Sequence, residues 1–265
     1  MRKELFEKLF YAAIRILTLS KPYFQENSMM VKAVLFDMFD TLMIISKNHD
    51  FYSPSMLHMY TFLVENGVNV PLKRFQEAFS KAREELYEKA DPNLEEPHFN
   101  VRIALTLKML GYSFDSSSSL VVSASSVFCE EFMNHVYLDS DAEPLLRGLQ
   151  GRYKLGIVSN YVIPECVDRL LKKHGLVNLF DVVVVSGAVN KRKPSPEIFK
   201  QALNALGVFA NETVFVGDTL DADIAGPKEV GMKTVYIKRR EEKQIENVVP
   251  DETINSLTEL PLILE

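Results

Sequence analysis

Five short runs of nearly unbroken apolar residues constrain this chain most. They are Val31–Phe36 (VKAVLF), Lys154–Val158 (KLGIV), Asp181–Val185 (DVVVV), Thr213–Val216 (TVFV) and Lys233–Ile237 (KTVYI). None alternates strictly between apolar and polar, so each is expected to be a strand buried on both faces. Helical patterns fill most of the intervals. Buried strands separated by helices imply an α/β fold with a doubly wound, Rossmann-like parallel sheet. In such a sheet ligands gather beyond the carboxyl ends of the strands. The residues just after each run are therefore the candidates for chemistry.

Those residues are polar and mostly charged. The first run ends in Asp37-Met38-Phe39-Asp40-Thr41 and the second in Ser159-Asn160. The third leads to Lys193-Pro194, and the fourth ends in Gly217-Asp218, with Asp221 and Asp223 close behind. Ser159 to Lys193 is 34 residues and Lys193 to Asp218 is 25, each near the ~30 residues of one strand–helix–strand unit. Asp37 to Ser159 is 122 residues. Roughly 85–90 of these exceed one such unit.

Helices are expected in that excess near 53–66, 71–90, 98–111 and 119–136, broken at Asn66-Gly67, Asp91-Pro92 and Gly111. Phe75, Phe79, Ala82 and Leu86 form a helical stripe within it. The expected organisation is an α/β core of 30–46 and 137–265, interrupted by an all-helical cap domain over 47–136. Ahead of the core, Leu5, Leu9, Ala13, Ile16 and Leu17 recur at helical spacing. Residues 1–29 are thus expected to be an amphipathic extension, packed on its own domain or on a second copy of the chain in a homo-oligomer. Met30-Val31-Lys32-Ala33 also reads as a place where such a core could start.

Composition narrows the partners. The 265 residues are 47% hydrophobic and 25% charged, enough to bury a core and unlike disordered, collagenous or coiled-coil chains. A net charge of -6 offers no global basic field for nucleic acid. Glu4, Glu7, Lys8 and Arg15 interrupt any signal peptide, and no run approaches the ~18 apolar residues of a transmembrane segment. Cys129 and Cys166 form no C-x-x-C pair, and the five histidines make no metal-ligand spacing. Buried thiols in a reducing, cytoplasmic setting are expected. Ser118 or Ser119 is the expected N-cap of a helix, and Asp221 a surface or capping residue. Lys191, Arg192 and the mixed-sign run 238–243 read as solvated.

The segments VLFDMFDTL, GIVSN, KRKPSPEIF and VFVGDTLDADIAG stand at successive strand ends. In kind and order they resemble the motifs of haloacid dehalogenase-like (HAD) superfamily hydrolases with a helical cap inserted after the first motif. The resemblance spans about 31 to 240. Asp37, ending the first strand, can attack an electrophile. The resemblance implies that it forms a covalent aspartyl intermediate, later hydrolysed by water. Asp218 and Asp223 add negative charge at the same edge, and two carboxylates ~4 Å apart repel by about 4 kcal/mol at an effective dielectric near 20. A hard cation relieves this. The resemblance implies Mg²⁺, held by Asp37, the Phe39 backbone carbonyl and Asp218, with Asp223 as a further ligand or support. Ser159 and the Asn160 N–H can donate to phosphoryl oxygens. Lys193 can neutralise Asp37 and the transferred group, while Thr41 is expected to close the first loop by hydrogen bonding.

One position departs from the pattern. Phosphatases of this superfamily carry a second aspartate two residues after the nucleophile, as a general acid; here it is Phe39. Asp40 sits at a turn position and is expected to point elsewhere. Three readings follow. The first is a Mg²⁺-dependent phosphatase of a small phosphorylated metabolite, which is slow, favours a good leaving group, or borrows its acid. The second is a metal-free 2-haloacid dehalogenase, whose halide leaves unprotonated. The third is a non-catalytic phosphate-binding module.

Overall fold

The computed structural model describes residues 30–46, 51–239, 245 and 247–264. The expected helix within 1–29 lies outside them, as do residues 47–49 and most of the charged run 238–243.

The chain enters on β1 (Ala33–Phe36) and turns into β2 (Met43–Ile45). Helices α1 (Tyr52–Glu65), α2 (Leu72–Ala90), α3 (Phe99–Met109) and α4 (Ser119–Phe132) follow, and β3 (Val136–Leu138) returns the chain. Then come α5 (Ala142–Leu149), β4 (Lys154–Ser159), α6 (Pro164–Lys173), β5 (Val182–Val185), the short α7 (Ser186–Val189) and α8 (Pro196–Leu206). The last stretch holds β6 (Thr213–Gly217), a π-helical turn (Leu220–Ala225), α9 (Gly226–Glu229), β7 (Lys233–Ile237), β8 (Glu252–Ile254) and α10 (Leu260–Leu264).

Six strands form one sheet in the order β5-β4-β1-β6-β7-β8, and every pairing is parallel. This is the doubly wound α/β sheet that the apolar runs imply. β1 lies at its centre between β4 and β6, and all four of its residues are fully buried. One face packs Phe199, Ala202 and Leu203 of α8 against Leu35, Val158 and Phe215. The other packs α5 and α6 through Leu146, Val167 and Leu170. Adjacent parallel strands end on the same edge, so the ends of β1, β4 and β6 meet there.

The four helices between β2 and β3 pack as α1 on α4 and α2 on α3. Phe75, Phe79 and Ala82 of the expected stripe are buried. The expected helix over 119–136 is shorter in the structure. It ends at Phe132, and Val136–Leu138 instead pairs antiparallel with Met43–Ile45. Two three-residue strands are too short to show a period in sequence. Ser118 stands at the N-cap of α4, but its side chain makes no capping bond. Both cysteines are buried and form no disulfide, and the Cys166 thiol donates to Cys129 O at 3.9 Å.

Phe132 at the end of α4 joins the inserted helices to the sheet edge. It is fully buried, and its ring centroid lies 5.5 Å from Phe39, 4.9 Å from Phe51 and 5.0 Å from Tyr161. Phe132→Ala is expected to cost about 3–5 kcal/mol of stability in urea denaturation.

Candidate active site

Asp37 is the first residue past β1, and its N–H still donates to Val216 O at 2.9 Å. That bond continues the sheet by one residue and aims the side chain out of the edge. Asp218 follows β6 directly. Asp223 comes back to the same point on the π-helical turn, a distortion common at functional sites. Carboxylate oxygens of Asp37, Asp218 and Asp223 lie within 4.8 Å of one another, and all three residues are buried.

Lys193 closes the group. Its Nζ donates to Asp37 Oδ1 at 2.6 Å and to Asp223 Oδ1 at 2.7 Å. The ammonium is buried with them. The other oxygen of Asp223 accepts from the backbone N–H of Asp218 at 3.2 Å and of Thr219 at 3.0 Å. Both Asp223 oxygens are therefore engaged, which suits it to hold Lys193 and the 218–219 backbone in place. Gly217 permits this approach: a Cβ there would lie 2.5 Å from the Asp223 Cβ.

The electrostatics follow from burial. Desolvation pushes the Asp37 carboxyl from its ordinary 3.8 up to about 6, against the pull of Lys193 and with the push of Asp223. Burial acts to lower the Lys193 pKa, but the Asp223 and Asp37 carboxylates outweigh it and hold the ammonium above its usual value.

Ser159 ends β4 and Asn160 follows it into the cleft, whereas Thr41 is fully buried in the first loop and does not line the cleft. The Asn160 side chain clips the Lys193 backbone: Nδ2 donates to Lys193 O at 3.0 Å and Oδ1 accepts from Lys193 N at 2.7 Å. The sequence points only to the Asn160 backbone N–H; this side-chain clip has no local signal in it. Ser159 Oγ is buried without a partner among the described residues, which leaves it a donor to spend. Thr41 Oγ1 is likewise buried and unpartnered, so the loop-closing bond expected of it is absent. Its carbonyl instead accepts from Arg239 Nη2 at 2.8 Å.

The first loop turns at Asp40, whose φ of 56° is left-handed, a conformation Asp tolerates better than most residues. Its Oδ1 accepts from Ile45 N at 3.1 Å, which ties the side chain back into the first loop. Phe39 lines the cleft, and its ring lies 4.9 Å from Tyr161.

Arg192 and Lys191 are not solvated, contrary to expectation. Arg192 pairs with Asp91 Oδ1 at 2.6 Å, donates to the Glu95 carbonyl and lies over the Tyr87 ring at 5.5 Å. Lys191 Nζ donates to Asn93 O at 3.0 Å. Together they hold the 91–95 turn, and with it Leu94, at the mouth of the cleft. Arg239 is also engaged, pairing with Asp139 at 2.7 Å. Asp221 does cap locally, its Oδ1 accepting from Ala222 N at 2.8 Å, and it lines the same cleft. The cleft holds about 490 Å³.

The cluster suits a divalent cation. Its donors are hard carboxylate oxygens, and a single ammonium is shared by two of the three acids. The geometry thus gathers three buried carboxylates that could hold a metal ion, and a buried ammonium, on one edge. Sequence comparison agrees: the model of the haloacid dehalogenase-like hydrolase family matches residues 31–231. The chain belongs to that family.

Among individual relatives, glyceraldehyde 3-phosphate phosphatase of Methanopyrus kandleri is 30% identical over 87% of this chain and 96% of its own. The 2-haloacid dehalogenase of Pseudomonas syringae superposes with a TM-score of 0.69 at 24% identity, over 89% of this chain and 98% of that one. A HAD phosphatase of Thermococcus onnurineus gives 0.54 at 27%, over 88% and 98%.

The raised Asp37 carboxyl has a consequence for stability. A carboxyl held above its unfolded pKa favours the fold when protonated, and that contribution is lost as pH rises through about 6. In metal-free buffer, Asp37→Asn is therefore expected to gain on wild type in melting temperature as pH rises from about 4 to about 7, by a few degrees. Thermal melts across that range check it.

Proposed function

We propose that this HAD-family hydrolase is a Mg²⁺-dependent phosphatase of small phosphorylated metabolites, acting through an aspartyl-phosphate on Asp37. The observation that carries this is the buried Asp37–Lys193–Asp223 arrangement beside Asp218. Its surplus of carboxylates matches a phosphoryl-transfer site better than a site for a neutral carbon–halogen bond. The phosphatase relatives support the same class. The name of the Methanopyrus relative points to a triose-phosphate-sized substrate.

In this reading, residues 30–46 and 137–265 form the catalytic core and 47–136 the cap. Asp37 Oδ attacks phosphorus, forming an acyl–phosphate bond as the ester P–O bond breaks. Lys193 holds that carboxylate in place and offsets the charge of the incoming group. The Ser159 hydroxyl and Asn160 N–H donate to the phosphoryl oxygens. Water then attacks phosphorus, releases phosphate and restores Asp37. Asp37, the Phe39 carbonyl and Asp218 would hold Mg²⁺, with Asp223 supporting them. When bound, the ion supplies charge neutralisation and orientation at the phosphoryl oxygens. Thr41, whose hydroxyl has no partner among the described residues, keeps a supporting place in the same loop.

With Phe39 where the general acid stands in related phosphatases, the leaving oxygen takes its proton from water or departs as a stable anion. That favours esters of acidic alcohols. The haloacid reading rests on Phe39 alone, since its ring could shield a halide that needs no proton. Chloride release from 2-chloropropionate in EDTA is its test.

Turnover of p-nitrophenyl phosphate should require Mg²⁺, and Asp37→Asn should lower it by about 10³-fold or more. Phe39→Asp should raise turnover of a poor leaving group such as glycerol phosphate by about 10²-fold. It should change p-nitrophenyl phosphate little. Equal turnover by wild type and Asp37→Asn would refute the nucleophile.

A further inference from the structure

A second cavity, of about 220 Å³, lies between the inserted helices and the loop after β4. It shares no lining residue with the catalytic cleft. The ring pair Phe39–Tyr161, 4.9 Å apart, separates the two, since Phe39 lines one and Tyr161 the other. Phe51, Tyr52, Phe99 and Phe128 make its walls largely aromatic.

One charged group breaks that apolar lining. Arg102, on α3, is 9% exposed and faces the cavity. Its Nε and Nη2 both donate to a single acceptor, Phe79 O, at 3.1 and 2.9 Å. The guanidinium lies 3.6 Å from the Phe79 ring centroid and 5.8 Å from that of Tyr52. It forms no ion pair with a carboxylate among the described residues. Ring faces and one neutral carbonyl ease the burial of a cation but leave its charge unbalanced. Desolvation accordingly lowers the Arg102 pKa, while the Tyr52 phenol acts to raise it. Arg83 lines the same cavity over the Tyr87 ring, at 5.0 Å. Glu96, on which Arg83 acts electrostatically, accepts a hydrogen bond from Tyr87.

We propose that this cavity is a second binding site, for a small molecule with an aromatic or aliphatic body and one carboxylate, which Arg102 meets. The planar fork of a guanidinium matches a carboxylate and would supply the missing counter-charge. The size fits too: an apolar cavity of about 150 Å³ takes up benzene, and this one is larger. Such a ligand would press on Tyr161, the residue after Asn160, and so sit one ring away from the cleft.

The test compares benzoate with benzyl alcohol, close in size and different in charge, by isothermal titration calorimetry on the full chain. A charge-assisted hydrogen bond contributes about 1.5–3 kcal/mol, so benzoate should bind about tenfold or more tightly than the alcohol. Arg102→Met should remove that preference and leave alcohol affinity nearly unchanged. Equal affinities, no saturable benzoate binding, or a preference that survives Arg102→Met would overturn the proposal. If Arg102→Met fails to fold, wild-type crystals soaked in 4-bromobenzoate decide. An anomalous bromine peak between Arg102 and Phe128 supports the site; a peak in the Asp37 cleft, or none, overturns it.

Discussion

The Lys193 ammonium, held between Asp37 and Asp223, is the interaction on which the site depends. It joins residues from three separate stretches of chain at 2.6 and 2.7 Å. Burying three carboxylates at one sheet edge would be strongly unfavourable without it. Its neighbours serve the same contact. Asn160 clips the Lys193 backbone, Gly217 makes room for Asp223, and the N–H groups of Asp218 and Thr219 hold the other Asp223 oxygen. The sheet order matters because β1, β4 and β6 are neighbours. Only adjacent strand ends bring Asp37, Ser159 and Asp218 together.

Phe39 links chemistry to packing. Its ring joins Phe132 and Tyr161 in an aromatic cluster beneath the inserted helices. An aspartate there would trade apolar burial for a proton donor. Arg192 ties the insertion to the core from the other side, through Asp91 and the Glu95 carbonyl. The mouth of the cleft is thus framed by both parts of the chain.

Much of this was legible in the sequence. All five apolar runs became strands, and four are buried on both faces along most of their length; β5, at the sheet edge, instead leaves Val183 exposed. The polar residues after them converge because a parallel sheet leaves them no other edge. What stayed hidden depends on distant partners. A loop arginine such as Arg192 looks solvated until the 91–95 turn folds over it. The Arg239 contacts with the first loop span 198 and 199 residues, and no local pattern announces them. The side-chain clip by Asn160 was hidden in the same way, and the hydrogen bond expected of Thr41 is absent.

The proposed covalent step can be observed directly. Enzyme quenched in acid during turnover of p-nitrophenyl phosphate, then reduced with borohydride, converts an aspartyl-phosphate to homoserine. Peptide mass spectrometry should find homoserine at position 37 and at no other aspartate, and only when both substrate and Mg²⁺ were present. Steady turnover with position 37 recovered solely as aspartate would contradict the account.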